Sequence, residues 1–145
     1  MSPENSGPDR EAATAARRVD AHQHFWSLRR GDYAWLTPSL PPLYRDFLPA
    51  DLSPHLREAD VRQTVLVQAA ETVEETRWLL GLADETAFVA GVVGWIPMDS
   101  RDGVGALDAL AAQRKFVGVR PMIQDVPDDA WMLRTELTPA LRALV

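Results

Sequence analysis

The chain has 145 residues, of which 46% are hydrophobic and 25% charged, with a formal net charge of -6 at pH 7. This composition is typical of a globular protein, and the scattered basic residues exclude the electrostatic surface of a protein that binds nucleic acid or an anionic membrane. The chain contains no cysteine, which excludes disulfides and thiolate chemistry and favours a cytoplasmic location.

The N-terminal residues 1–16 mix proline, glycine and charged residues with small ones, and contain no continuous apolar run. The sequence therefore predicts a disordered tail at 1–16, followed by one domain over 17–145. The most apolar stretch, residues 88–98, is shorter than the ~20 residues that a membrane-spanning helix needs. We therefore expect no membrane span.

Four short runs of apolar and β-branched residues predict four strands, at residues 18–24, 63–68, 88–95 and 116–120. The second and third runs are apolar at nearly every position rather than at alternate ones. That pattern is typical of parallel strands that helices cover on both faces of a sheet.

Helical patterns lie between these runs. Ser53 followed by Pro54 predicts a helix N-cap and a proline at the first helical position. A second helix is predicted over residues 72–83. Its buried stripe is predicted to comprise Thr76, Leu79, Leu80 and Ala83, and its outer face Glu74, Glu75 and Arg77. A third helix is predicted from a stripe of Val104, Leu107, Leu110 and Ala111.

The resulting order, β-α-β-α-β-α-β, is typical of a right-handed parallel α/β architecture. After a polar loop at residues 124–136, Thr138 and Pro139 repeat the N-cap signal and predict a fourth helix, of which the chain holds only residues 139–145. An open doubly wound sheet and half of an eight-stranded β/α barrel both fit this order.

The segment after the first strand, residues 25–52, favours the half barrel. It is long and rich in aromatic residues and proline, and it lacks the glycine-rich turn that a nucleotide-binding sheet has directly after its first strand. Loops of this length usually act as lids or binding loops. We therefore expect the first four βα units of a barrel, with Trp26 and its aromatic neighbours either covering a ligand or packing over the barrel end.

The first predicted strand ends in Asp20-Ala21-His22-Gln23-His24. Side chains two residues apart project from the same face of a strand, so His22 and His24 point to one place. Two such imidazoles are typical of a metal site or of hydrogen bonds that polarise a carbonyl, and a chance surface pair is the alternative. Asp20, on the same face, is either a carboxylate that orients one histidine or a solvated residue at a strand end.

Five stretches of the chain carry a family resemblance. They are residues 19–26 (VDAHQHFW), 33–36 (YAWL), 45–49 (RDFLP), 65–69 (VLVQA) and 118–124 (GVRPMIQ). These stretches resemble the amidohydrolase-related family, and most of all its lactonase branch of sugar-acid and pyrone dicarboxylate lactonases. The resemblance runs over residues 19–145 and covers the N-terminal half of such a protein. It implies half of a β/α (TIM) barrel and hydrolysis of a cyclic ester or amide by an activated water.

The resemblance implies roles for particular residues. His22 and His24 match histidines that hold a metal or polarise the substrate carbonyl, with either a divalent metal such as zinc as cofactor or none. Arg120 and Gln68 end strands and are expected to bind substrate together with Trp26. The alternatives are a salt bridge for Arg120 and contacts to loop backbone for Gln68. The family's further histidine and its base toward the water are expected beyond Val145.

Three hypotheses stay open. In the first, the chain is the N-terminal half of a lactonase-type hydrolase and is inactive without a C-terminal half. In the second, it is a self-associating or partner-binding half barrel with no catalysis of its own, because two unpaired strand edges need cover. In the third, it is an unrelated α/β domain with structural histidines.

His55, near the predicted start of the first helix, is expected on the outer ring of helices.

Overall fold

The computed structural model describes residues 18–145, so the predicted tail at 1–16 lies outside the described residues. Four parallel strands form one sheet: β1 (Arg18–Gln23), β2 (Val61–Val67), β3 (Val89–Gly94) and β4 (Phe116–Val119). Each strand pairs with the one before it, in the order β1-β2-β3-β4. A doubly wound sheet reverses this order at a switch point, whereas a β/α barrel does not. The sheet therefore has the topology predicted for a half barrel.

Four α-helices connect or follow the strands: α1 (Pro49–Glu58), α2 (Val73–Glu85), α3 (Gly103–Ala111) and α4 (Thr138–Ala143). Three short 3-10 helices lie in the connections, at Leu28–Arg30, Trp131–Leu133 and Thr135–Leu137. The main core lies between the sheet and the helices, where buried side chains of β2 and β3 pack against α2 and α3. No helix among residues 18–145 is both long enough and apolar enough to cross a membrane.

The predicted start of the first helix is wrong. Helix α1 begins at Pro49, so Ser53 and Pro54 lie inside it. The carboxylate of Asp51 accepts a hydrogen bond of 2.9 Å from the backbone N–H of Leu48, which satisfies a donor at the helix start. Pro49 also occupies the first helical position, where its missing N–H costs nothing. The helix therefore starts five residues before the predicted position, with Leu48 rather than Ser53 at the cap and Pro49 rather than Pro54 at the first helical position.

The predicted orientation of α2 is correct for its apolar stripe and wrong for Glu75. Thr76, Leu79, Leu80 and Ala83 are all buried, but Glu75, predicted on the outer face, is also 0% exposed. Helical side chains tilt toward the N-terminus of their helix, so a long side chain in the first turn can reach the preceding loop. Glu75 does so and binds that loop.

Two further expectations near the later helices need correction. Ala111, predicted on the buried stripe of α3, is exposed as the last residue of that helix. The predicted polar loop at 124–136 contains a 3-10 helix with a buried Trp131, and a second one leads directly into α4. Thr138 is consequently the first residue of α4 rather than its cap, because the preceding turn already carries the chain into the helix.

The two outer strands each have a neighbour on one side only within the sheet of residues 18–145. Val19 on β1 is 49% exposed and Val117 on β4 is 59% exposed. Apolar side chains at an unpaired strand edge are a surface on which further strands can pair.

Candidate active site

Polar side chains gather where β1, β2 and β4 end. His24 follows β1, Gln68 follows β2 and Arg120 follows β4. The carboxyl ends of parallel strands lie at one edge of a sheet, which is where barrel enzymes place their catalytic groups. Two contacts link the strand ends. His24 Nδ1 lies 2.8 Å from the carbonyl oxygen of Val67, the last residue of β2, and Arg120 Nη1 donates to the carbonyl oxygen of Gln68 at 3.3 Å.

The two histidines at the end of β1 lie on one face, as their spacing predicts. Their Nε2 atoms are 3.1 Å apart, and the ring planes meet at 74° with the centroids 4.8 Å apart. Gln23, between them, points the other way and donates to the hydroxyl of Thr64 on β2. Both imidazoles therefore present one nitrogen to the same point.

The contacts of His24 define where the protons of the pair lie. The Val67 carbonyl can only accept, so the hydrogen bond at His24 Nδ1 requires a proton on that nitrogen. Neutral His24 then has its lone pair at Nε2, and His22 Nε2–H is the donor in the contact between the rings. Burial lowers the pKa of His24, and the nearby charges of His22 and Arg120 act in the same direction. The neutral form of His24 is thus favoured.

Asp20 does not orient an imidazole. Its Oδ1 accepts a hydrogen bond of 3.0 Å from the backbone N–H of His22, two residues along its own strand. Short carboxylate side chains often bind nearby backbone in this way. The carbonyl of Val67, on the neighbouring strand, orients His24 instead, so the first of the two alternatives for Asp20 is not the one observed.

Gln68 and Arg120 hold each other. Gln68 is fully buried, and its Nε2 donates to the Arg120 carbonyl oxygen at 3.1 Å, while its Oε1 accepts from Arg120 Nη1 at 3.4 Å. Within residues 18–145 the guanidinium forms no salt bridge. A guanidinium has five N–H donors, so Arg120 keeps donors beyond those used on Gln68.

A cleft of about 670 Å³ opens beside these groups, and we call it the strand-end cleft. Its lining includes His24, Arg120, Trp26, Trp35, Ala69, Ala70 and the three acidic residues Asp32, Glu71 and Asp125. Trp26 is held by a hydrogen bond of 2.8 Å from its indole N–H to the carbonyl oxygen of Arg45. The rings of Trp26 and Trp35 meet edge to face, 5.3 Å apart. The cleft thus combines an aromatic wall with polar groups from three strands.

Sequence reasoning included Trp35 only among the aromatic residues of the segment after β1, and it missed the parts that Asp32 and Glu75 play in this region. Trp35 donates its indole N–H to the carbonyl oxygen of Ala69 at 2.8 Å, and Asp32 accepts from the hydroxyl of Thr72 at 3.1 Å. Both bonds join the segment after β1 to the loop after β2. The pairs are 34 and 40 residues apart in sequence, so no local pattern signals them. His55 is exposed on α1, as expected, and is not part of the strand-end cleft.

The histidine pair fits part of a metal shell. Two nitrogen ligands of a tetrahedral zinc ion, each at ~2.0–2.1 Å, stand about 3.3 Å apart. The observed separation of 3.1 Å between the Nε2 atoms is close to that spacing. Residues 18–145 contain no cluster of three or more histidine, aspartate or glutamate side chains able to hold a metal. The pair therefore offers two of the four positions.

Comparison with known proteins gives several matches. Residues 19–145 match the family model described as amidohydrolase. The L-fucono-1,5-lactonase of Burkholderia ambifaria is 46% identical over 128 residues, which cover 88% of this chain and 44% of that protein. The L-fucono-1,5-lactonase of Burkholderia multivorans is 42% identical over 115 residues, covering 78% and 38%. The chain therefore spans less than half the length of these curated relatives.

Solved structures match to a similar extent. A Burkholderia multivorans amidohydrolase with bound HEPES superposes with a TM-score of 0.79 and 32% identity, covering 87% of this chain and 44% of that one. A second crystal form, with bound zinc, gives a TM-score of 0.77, 33% identity and the same coverage of 87% and 44%. A probable 2-pyrone-4,6-dicarboxylic acid hydrolase from Acinetobacter baumannii, at 19% identity and a TM-score of 0.64, shares the fold. These matches confirm the predicted half barrel.

Proposed function

Because this chain belongs to the amidohydrolase family, we propose that it supplies the N-terminal half of the active site of a hydrolase that opens a sugar-acid lactone. The observation that carries the proposal is the convergence of His24 and Arg120, from β1 and β4, on one cleft, with His22 Nε2 3.1 Å from His24 Nε2. Two relatives named L-fucono-1,5-lactonase support a cyclic ester rather than an amide as substrate.

The lining of the strand-end cleft suits a hydroxylated ring. Trp26 and Trp35 supply aromatic surface, against which the apolar face of a sugar ring packs well. Asp32, Glu71 and Asp125 supply carboxylate oxygens, which accept hydrogen bonds from hydroxyl groups. Arg120 supplies N–H donors for a carbonyl or hydroxyl oxygen. We place the lactone ring against the tryptophans, with its carbonyl directed toward the histidines and Arg120.

The reaction adds water to the lactone carbonyl. Oxygen from water bonds to the acyl carbon, the ring C–O bond breaks, and the ring oxygen takes a proton to become a hydroxyl of the open acid. His22 Nε2–H and the Arg120 guanidinium would donate to the carbonyl oxygen, where negative charge develops in the transition state. In the resting state His24 Nε2 would accept the hydrogen bond from His22 Nε2–H and so hold His22 in place for this role. We expect the base for the water on a strand outside residues 18–145.

A metal is an additional feature of this proposal. His22 and His24 would hold a divalent metal such as zinc, as one solved relative contains zinc. The chemistry that such an ion supplies when bound is Lewis-acid polarisation of the carbonyl. Both Nε2 atoms would then be ligands, and Arg120 would remain the hydrogen-bond donor to the substrate.

Complementation tests the proposal. The chain alone and the chain mixed with the C-terminal part of the Burkholderia ambifaria lactonase would be assayed for hydrolysis of L-fucono-1,5-lactone. We expect no hydrolysis by the chain alone and activity in the mixture. We expect His24→Ala to abolish that activity and His55→Ala, at an exposed position of α1, to preserve it. A mixture that assembles, by light scattering, but never hydrolyses the lactone would refute the proposal.

A second candidate function is self-association, favoured by the exposed Val19 and Val117 on the unpaired edges of β1 and β4. Two copies would place both His22–His24 pairs in one lumen. Light scattering across a range of concentrations tests this: association on concentration is expected, and a monomer that does not aggregate would exclude it.

The cytoplasmic location stays a prediction, which fractionation of producing cells would check.

A further inference from the structure

Glu75 lies behind the strand-end cleft and has no part in the chemistry described above. Its side chain is 0% exposed. Its Oε1 accepts from the N–H of Ala69 at 3.0 Å, and its Oε2 accepts from the N–H of Ala70 at 3.1 Å and from the N–H of Ala69 at 3.2 Å. Ala69 and Ala70 both line the cleft. Burying a carboxylate costs free energy unless several donors bind it. A buried carboxylate behind two residues that line the cleft therefore indicates a local structural role.

The backbone of one residue, Ala69, joins this carboxylate to Trp35 in the aromatic wall. The N–H of Ala69 binds Glu75, and its carbonyl oxygen accepts the indole N–H of Trp35 at 2.8 Å. Trp35 in turn packs edge to face on Trp26. Gln68, directly before Ala69, holds Arg120. Both the tryptophan wall and the arginine are therefore attached to the backbone that Glu75 fixes.

Backbone N–H groups stabilise the charge of Glu75, because the charged side chains nearby pair with each other. Arg30 and Asp32, the nearest charged residues of the long segment, are paired with each other, and the phenol of Tyr33 is buried beside them. The hydroxyl of Thr72 accepts from the Glu75 N–H at 3.0 Å and donates to Asp32. Burial raises the pKa of Glu75 to about 7, although the Ala69 and Ala70 N–H groups oppose the rise.

We propose that Glu75 is a positioning residue whose ionised carboxylate fixes the backbone of Ala69 and Ala70, and through it the place of Trp35 in the wall of the cleft. Protonation of Oε1 removes the acceptor of the 3.0 Å bond and leaves Oε2 as one uncharged acceptor for both N–H groups, so both donors are held more weakly. The order of the wall thus follows the charge of Glu75. That the wall binds substrate rests on the proposed function, whereas the coupling of Glu75 to Trp35 does not.

Nuclear magnetic resonance of the unmodified chain between pH 5.5 and 8.5 tests the coupling. We expect the amide signals of Ala69 and Ala70 and the indole N–H signal of Trp35 to follow one titration curve with a midpoint near pH 7. The indole signal of the buried Trp131, outside this cleft, serves as the reference and should not follow that curve. A Trp35 signal that stays constant while the two amides titrate would overturn the proposal.

Two substitutions test whether the shared titration belongs to Glu75. Glu75→Gln keeps the shape but offers one acceptor oxygen, so we expect the shared titration to vanish and hydrogen exchange at Ala69 or Ala70 to accelerate roughly tenfold or more. Glu74→Gln, whose side chain is 72% exposed in the same helical turn, should leave both unchanged.

Wild-type exchange rates in a folded Glu75→Gln variant would contradict the proposal. If that variant fails to fold, the titration of the unmodified chain still decides. Because these signals require no substrate, a failure of lactone hydrolysis leaves the result intact. Conversely, if the complemented enzyme is active but the Trp35 signal does not follow the titration of Glu75, only the positioning role is refuted.

Discussion

Gln68 and Arg120 exchange hydrogen bonds across an intervening strand. The amide of Gln68, at the end of β2, donates to the Arg120 carbonyl oxygen at 3.1 Å, and the Arg120 guanidinium donates to the Gln68 carbonyl oxygen at 3.3 Å. Since β3 lies between β2 and β4 in the sheet, this pair joins two strand ends that share no backbone ladder. The placement of the guanidinium at the cleft depends on it.

Replacing Gln68 tests how much this pair of residues contributes to stability. Gln68→Leu keeps the volume but leaves the Arg120 carbonyl without its donor and removes the side-chain acceptor of Arg120 Nη1, so we expect the free energy of unfolding to fall by about 2 kcal/mol. Urea denaturation followed by circular dichroism measures this loss. Gln113→Leu, at an exposed position after α3, is the control and should unfold near the wild-type midpoint. Equal midpoints for the two variants would show that the pair contributes nothing.

Zinc titration tests the histidine pair. We expect the ring signals of His22 and His24 to shift together as zinc is added, because their Nε2 atoms stand 3.1 Å apart. His22→Ala should weaken binding strongly, since one imidazole remains, with little effect on stability because His22 is exposed. His55→Ala is the matched control. Undiminished zinc binding by His22→Ala would place the ion elsewhere on the chain.

The pH dependence of stability tests the burial of Glu75. Burial raises the pKa of Glu75 to about 7 in the folded chain, against 4.5 for a glutamate in an unfolded chain. The folded state therefore holds the proton more tightly, and the stabilisation is complete below pH 4.5 and lost as pH rises through 7. The difference amounts to about 3 kcal/mol. Unfolding measured at several pH values should show this fall in wild type and in Glu74→Gln, but not in Glu75→Gln.

The start of α1 can be tested with two alanine substitutions. Asp51 accepts from the Leu48 N–H, whereas Ser53 lies inside the helix. We expect Asp51→Ala to lower the melting temperature, because a donor at the helix start loses its partner, and Ser53→Ala to leave it nearly unchanged. A larger loss for Ser53→Ala would favour the helix start that the sequence suggested.

Much of the fold could be predicted from local patterns. The four strands lie where apolar runs occur, because burial on both faces of a parallel sheet requires such runs. The shared face of His22 and His24 follows from the two-residue period of a strand. The family match over residues 19–145 confirms the resemblance carried by the five stretches. These features depend on neighbours in sequence.

What only the tertiary structure decided depends on residues distant in sequence. Glu75 was predicted to face outward because periodicity describes which face a residue occupies, not how far a long polar side chain reaches back along its helix. The bonds of Trp35 to Ala69 and of Gln68 to Arg120 span 34 and 52 residues. A hydrogen bond is directional and short. Which donor meets which acceptor is therefore decided only once the strands have brought their ends together.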